Sequence, residues 1–289
     1  MKYRILIFCL YFSSLSNAQQ LPVQTLWWNT QSIYNPAYSG LHNKQAAGIS
    51  GRYQWTGIEH PYESALAFYD QQLFSEKMGI GGNYSYNHVG NTQTSNRFHV
   101  NLNYAFRFKH SSLRIGIAPG IQRLRMDYPA WITTSPQPDP ALPQSGAQTK
   151  FSFNSGVAWT NDKLSLNFGV CQLTKPYFDK VKFHSAPEYF LGLTYSTALP
   201  NGSTLNPSFH MEKNGPSSQI QTALFFHHQK GPQLGGFWRR QDSSGVIIGF
   251  QKKNPFLFQY VFEIATGSSA QFRKYSHELH IVYLLKKEI

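Results

Sequence analysis

The 289-residue chain contains only two cysteines, Cys9 and Cys171. Cys9 falls inside the leader described below, so Cys171 stands alone in the remainder. That excludes an intramolecular disulfide and any C-x-x-C redox or zinc motif. Charge is also scarce, at 14% Asp, Glu, Lys and Arg against about 25% in an ordinary soluble domain. Long apolar runs are missing after the first 18 residues and mean hydropathy is negative. A second membrane-crossing helix, which needs about 20 apolar residues, is thereby excluded. Motifs that carry chemistry are absent too, including the G-x-S-x-G nucleophile elbow. His277-Glu278-Leu279-His280 spaces its histidines three apart rather than four, and on a strand these two face opposite sides. His227-His228 fails as a metal pair for the same reason.

What is abundant is aromatic residues, 16% of the chain, placed with a period of two. Phe256, Phe258, Tyr260, Phe262 and Ile264 alternate with a set that includes Gln259 and Glu263. Phe98, Val100, Leu102, Tyr104 and Phe106 alternate with Arg97, His99, Asn101, Asn103 and Arg107. Side chains of a strand point alternately to its two faces. Repeated strands with one greasy and one polar face predict a membrane-spanning β-barrel, and rich aromatics suit its two interfacial girdles.

The first 18 residues read as an export signal. Lys2 and Arg4 form a basic start, Ile5–Leu15 is mostly apolar, and Ser16-Asn17-Ala18 offers small residues for cleavage after Ala18. Fourteen strands follow, at 48–55, 62–70, 78–87, 94–107, 112–125, 151–160, 163–171, 187–197, 203–212, 218–228, 232–241, 244–251, 256–265 and 274–285. The number is even, as a single-chain bacterial barrel requires. Even-numbered connections are short turns, while Met126–Lys150, Gln172–Ala186 and Thr266–Arg273 are long, which predicts a periplasmic and an outer end. The division is therefore a signal peptide over 1–18, an N-terminal segment over 19–47 that folds under or into the periplasmic mouth, and a transmembrane barrel over 48–289.

Net charge is +12, falling to +10 without Lys2 and Arg4. The basic residues are spread over turns (Lys109, Lys163, Lys230, Lys252 and Lys253), with no basic helix or binding module, so nucleic acid is not an expected partner. A basic rim suits anionic headgroups of outer-membrane lipid or an acidic partner. With the large apolar positions outward, Arg52, Arg97, Arg107, Glu263 and Glu278 point into the lumen. Such groups either line a water path or form ion pairs, with one another or with a plug, and mutual pairing is favoured. The loop with Trp131 and the loop with Tyr177 and Phe178 place aromatics among charges, suiting protein contact or headgroup anchoring. His184-Ser185 and Asp242-Ser243 are nucleophile–base candidates by residue type alone, and an enzyme is not expected. No cofactor or metal is expected either.

The N-terminal segment reads Trp27-Trp28-Asn29, then Asn35-Pro36-Ala37-Tyr38-Ser39-Gly40. Asn-Pro demands extended backbone before the proline, and Gly40 permits a left-handed exit. This string resembles the N-terminal hallmark of PorP/SprF-type outer-membrane proteins of the Bacteroidetes. Arg52-Tyr53-Gln54-Trp55, Glu76-Lys77-Met78-Gly79-Ile80-Gly81 and Ser276-His277-Glu278-Leu279 agree in order. The resemblance implies a part in type IX secretion and its gliding-motility relatives. Its implied partners are secretion-complex subunits, or a large secreted adhesin bound through a type IX C-terminal domain. Trp27, Trp28, Trp131, Tyr177 and Phe178 are the candidate contact residues. The alternative expectation is a general porin or small-solute channel.

Overall fold

The computed structural model describes residues 24–41, 44–74, 77–90, 92–128, 145–251, 255–272 and 274–285. The expected signal peptide and Trp131 lie outside the described residues. Fourteen antiparallel strands form one closed sheet. They are β1 Gln45–Gln54, β2 Tyr62–Leu73, β3 Met78–Val89, β4 Gln93–Arg107, β5 Ser111–Met126, β6 Gly146–Asn161 and β7 Leu164–Cys171. The second half comprises β8 Glu188–Tyr195, β9 Thr204–Asn214, β10 Ser217–His227, β11 Pro232–Arg239, β12 Ser243–Phe250, β13 Phe256–Ala265 and β14 Tyr275–Leu285. Each strand pairs with its sequence neighbours, and β1 pairs with β14 to close the ring. Closure leaves no edge with unpaired backbone groups, which is what allows a sheet to sit in lipid.

All fourteen segments coincide with the strands expected from period two. The departures lie at the ends. β6 begins at Gly146 rather than 151, because the β5–β6 ladder continues outward to the pair Met126↔Gly146. Inside the loop after β7, Tyr177–Phe178 pairs with Phe183–His184 in a small hairpin that alternation could not reveal.

Connection length follows parity only in part. The end carrying turns 74–77, 108–110, 162–163 and 228–231 is called here the turn end. The other, loop end carries the longer 55–61, 127–145, 172–187 and 266–274. Three loop-end connections, 90–92, 215–216 and 240–242, are as short as turns, so long loops rise from only part of that rim.

Burial is inverted relative to a soluble protein. Ile49, Phe98, Phe151, Leu234 and Phe258 are exposed on the outer wall, whereas Asn83, Asn101, Gln221, Glu263 and Glu278 are buried inside. An apolar belt outside and a polar lumen inside are the two conditions a membrane barrel must meet. Several inward positions break the pattern by being apolar, notably Leu66, Phe68, Phe225, Phe237, Leu257 and Val261. They do not face water. They face the N-terminal segment.

Candidate functional site

Residues 24–41 run through the lumen in three short turns: Trp27–Asn29, Gln31–Tyr34 and Pro36–Tyr38. Thr25 touches Glu263 and Arg239, both near the loop end, and Gly40 meets the backbone of Gln71 and Gln72 at the turn end. The segment thus goes further than the mouth and spans the lumen. Leu26 packs with Phe225, Phe237, Ile247 and Val261, and Ile33 with Leu66, Phe68, Leu257 and Val282. These contacts explain the apolar inward positions, since burying one such side chain contributes about 1.5–3 kcal/mol.

At the loop end the segment is gripped by charge. Arg52 donates to Glu263 (Nη1–Oε2, 2.8 Å) and to Glu278 (3.1 Å). Arg239 donates to Asp242 at 3.0 Å, to Glu263 at 3.3 Å and to the Thr25 hydroxyl at 2.8 Å. Thr25 in turn donates its backbone N–H to Glu278 (2.8 Å) and its hydroxyl to Glu263 (2.6 Å), and its carbonyl accepts from Gln221 (2.8 Å). Leu26 N–H donates to the second Glu278 oxygen at 3.1 Å. Buried charges persist only when paired and hydrogen-bonded. Here the wall charges pair with one another and tie down the segment together.

At the turn end the grip combines uncharged hydrogen bonds with close packing. Asn35 is extended (φ −143°, ψ 106°), as a residue before proline must be. Its side-chain oxygen accepts from Ala37 N–H at 3.0 Å, while its amide donates to the carbonyls of Val157 and Phe168 at 2.9 and 3.2 Å. Asn103 donates to the carbonyls of Pro36 (3.0 Å) and Ser39 (2.8 Å), and Asn101 to the carbonyl of Ser32 (2.8 Å). Tyr38 hydrogen-bonds Ser165. Below the motif lies a shelf of inward glycines. A Cβ on Gly79, Gly116, Gly156 or Gly169 would lie 1.8, 2.4, 2.1 or 2.4 Å from an atom of Ser39, Ala37, Asn35 or Tyr34. Gly40, at φ +68°, turns the chain toward β1.

The other candidate residues are placed as follows. Arg97 forms a two-pronged pair with Glu188, both contacts 2.8 Å, which also accepts from Gln172. Arg107 ends β4 at the turn end and is exposed, away from the lumen network. Trp55 sits at the loop-end rim with φ +60°, its N–H donating to Ser276 at 3.1 Å. Tyr177 is exposed, but Phe178 is fully buried against Leu124 and Val181, so it offers nothing to a partner. Trp27 must also be withdrawn as a surface contact: it is 2% exposed and stacks on His210 inside the lumen. Trp28 is half-buried, beside Phe225. His184 is exposed on the small hairpin, Ser185 is buried, and Asp242 and Ser243 belong to the ion network. Arg239 and the glycine shelf escaped sequence reasoning. Both lie at inward parity, which was the available signal.

A closed, even-stranded barrel with a lipid-facing apolar belt defines an outer-membrane β-barrel, here with a plug formed by its own N-terminal segment. The chain belongs to the PorP/SprF family of type IX secretion system membrane proteins, whose model matches residues 16–283. No curated protein matches the chain. The solved structures that share the fold include two outer-membrane proteins. The Acinetobacter baumannii outer membrane protein Omp33 is 8% identical over 85% of this chain and 100% of that one, with TM-score 0.50. The Ralstonia pickettii toluene transporter TbuX is 8% identical over 90% of this chain and 94% of that one, with TM-score 0.52.

Proposed function

We propose that this barrel is a non-enzymatic docking component of the type IX secretion system, exported by a leader cleaved near Ala18. Its rims hold a secreted surface protein through that protein's C-terminal domain, or a subunit of the secretion complex. One observation carries the reading: residues 24–41 occupy the lumen and are held at both ends, so the barrel has surfaces to offer rather than a path. The loop end supplies a raised β5–β6 wall and the exposed Tyr177 hairpin. Affinity there would come from burying aromatic and apolar side chains, not from covalent chemistry.

The test is a pull-down of the tagged, full-length protein from detergent-solubilised outer membranes, paired with conductance in planar bilayers. The expected result is a secreted protein or secretion subunit bound to a nearly silent barrel. A partnerless barrel with steady, large conductance would overturn docking in favour of the general porin.

A further inference from the structure

Beneath the plug, the turn-end mouth is not filled. A cavity of about 420 Å³ opens there, within the range of about 300–1,000 Å³ typical of ligand sites. Its roof is the underside of the plug, Trp28, Asn29 and Gln31. Along one side runs a hydrogen-bonded row from Asn29 to Gln259, from Gln259 to Gln233 (2.8 Å) and from Gln233 to His227 (3.1 Å). On the β8–β9 side the ladder is interrupted between Thr194↔Ser208 and Thr197↔Leu205, and Ser196 Oγ bridges the gap to Asn206 Oδ1 at 2.6 Å.

Three polar atoms of the residues lining this cavity are buried without a hydrogen-bond partner among the described residues: Gln31 Oε1, Thr194 Oγ1 and Gln251 Nε2. Gln31 and Gln251 are each 8% exposed. An unpaired buried polar group costs about 1–3 kcal/mol, so turning any of these side chains toward a ligand in the cavity would be favoured. They comprise an acceptor, a donor and a group that is both. Apart from the His227 imidazole, the lining is otherwise amides, hydroxyls and apolar faces, with the charges of Asp162 and Lys163 confined to the turn between β6 and β7. A charged ligand would lose its hydration with no countercharge at depth. A wholly apolar ligand would leave the amides unpaired. Peptide backbone, a neutral series of alternating donors and acceptors, matches both conditions.

We propose that the turn-end mouth binds an extended, uncharged stretch of polypeptide offered by a partner on that side. The inference deepens the docking reading and rests on it, adding a second contact opposite the long loops.

The test selects a randomised octapeptide display library against the full-length protein in detergent micelles, with maltohexaose as the competing sugar. Uncharged sequences should be enriched over empty micelles. Their binding should weaken at least tenfold in Gln251→Ala, and should protect Gln251→Cys from a maleimide reagent. Circular dichroism and heat-modifiable gel mobility confirm that each variant barrel is folded. No enrichment, enrichment indifferent to Gln251→Ala, or displacement by the sugar would overturn the proposal. So would binding that appears only when residues 286–289 are removed, since the chain's own tail would then be the occupant. Partners recovered by the pull-down with a peptide-inert mouth would overturn this inference alone, whereas an empty pull-down strikes at docking itself.

Discussion

Arg52 joins β1 to β13, to β14 and to the plug. It contacts Glu263, Glu278 and Thr25 with no solvent exposure of its side chain. Removing one member of a buried ionic set leaves its partners uncompensated, typically at about 3–5 kcal/mol. Arg52→Ala should therefore lower the temperature at which the heat-modifiable gel band shifts, and raise conductance above the low level expected of the plugged barrel. Unchanged mobility and conductance would mean that the latch holds nothing. Glycine supplies a cleaner probe at the same scale. Gly156→Ala drives a Cβ to 2.1 Å from the Asn35 side chain, and Gly116→Ala to 2.4 Å from the Ala37 backbone nitrogen, whereas Gly51→Ala meets nothing within 4 Å. Overpacking of this kind costs about 1–3 kcal/mol. The first two variants should be destabilised in urea denaturation and Gly51→Ala should not, so equal midpoints would refute the shelf.

Among the elements, the hairpin after β7 shows how a loop acquires a fixed shape. Phe178 and Val181 fill a small core on Leu124, and Asp179 accepts from Lys150 at 2.7 Å. The Lys150 ammonium and the Gln148 amide hold the Asp179 carboxyl below its ordinary range. A depressed carboxylate contributes above its unfolded pKa of about 3.9 and loses its contribution as pH falls through the lowered native value. The protection factor of amides over 177–184, corrected for the intrinsic pH dependence of exchange, should thus stay constant from neutral pH down to about 4 and fall only in stronger acid. Asp179→Asn should show the lower protection already at neutral pH. A wild-type loss of protection beginning near pH 6 would assign the ordering to other groups. The alternation of strands was legible in every barrel segment, whereas this hairpin was not. Its two-residue strands are too short for a period, and its order comes from a core supplied by β5.

For the whole molecule, the long β5–β6 connection is separable from the barrel. Its flanks already meet, with Tyr128 N–H donating to Ser145 Oγ at 2.8 Å and that hydroxyl returning to Tyr128 O at 3.3 Å. Shortening a loop whose ends are joined changes closure entropy little. Replacing 129–143 by a short linker should leave a heat-modifiable barrel, while the pull-down loses its secreted protein. Undiminished recovery would move the docking surface elsewhere on the rim.

Sequence alone determined what a period of two can carry: strand number, which wall faces lipid, and the inward set containing Arg52, Arg97, Glu263 and Glu278. The Asn35–Gly40 string was legible as a fixed shape, because Asn-Pro and glycine restrict backbone locally whatever surrounds them. Only the tertiary structure decided where that shape goes. Thr25 and Glu278 are separated by 253 residues yet share a hydrogen bond of 2.8 Å, and no local pattern encodes a partner so distant. The same holds for the glycine shelf, assembled from separate strands, and for Trp27 and Phe178, whose burial depends on what packs over them. Periodicity assigns a side chain to a face, while packing settles what that face meets.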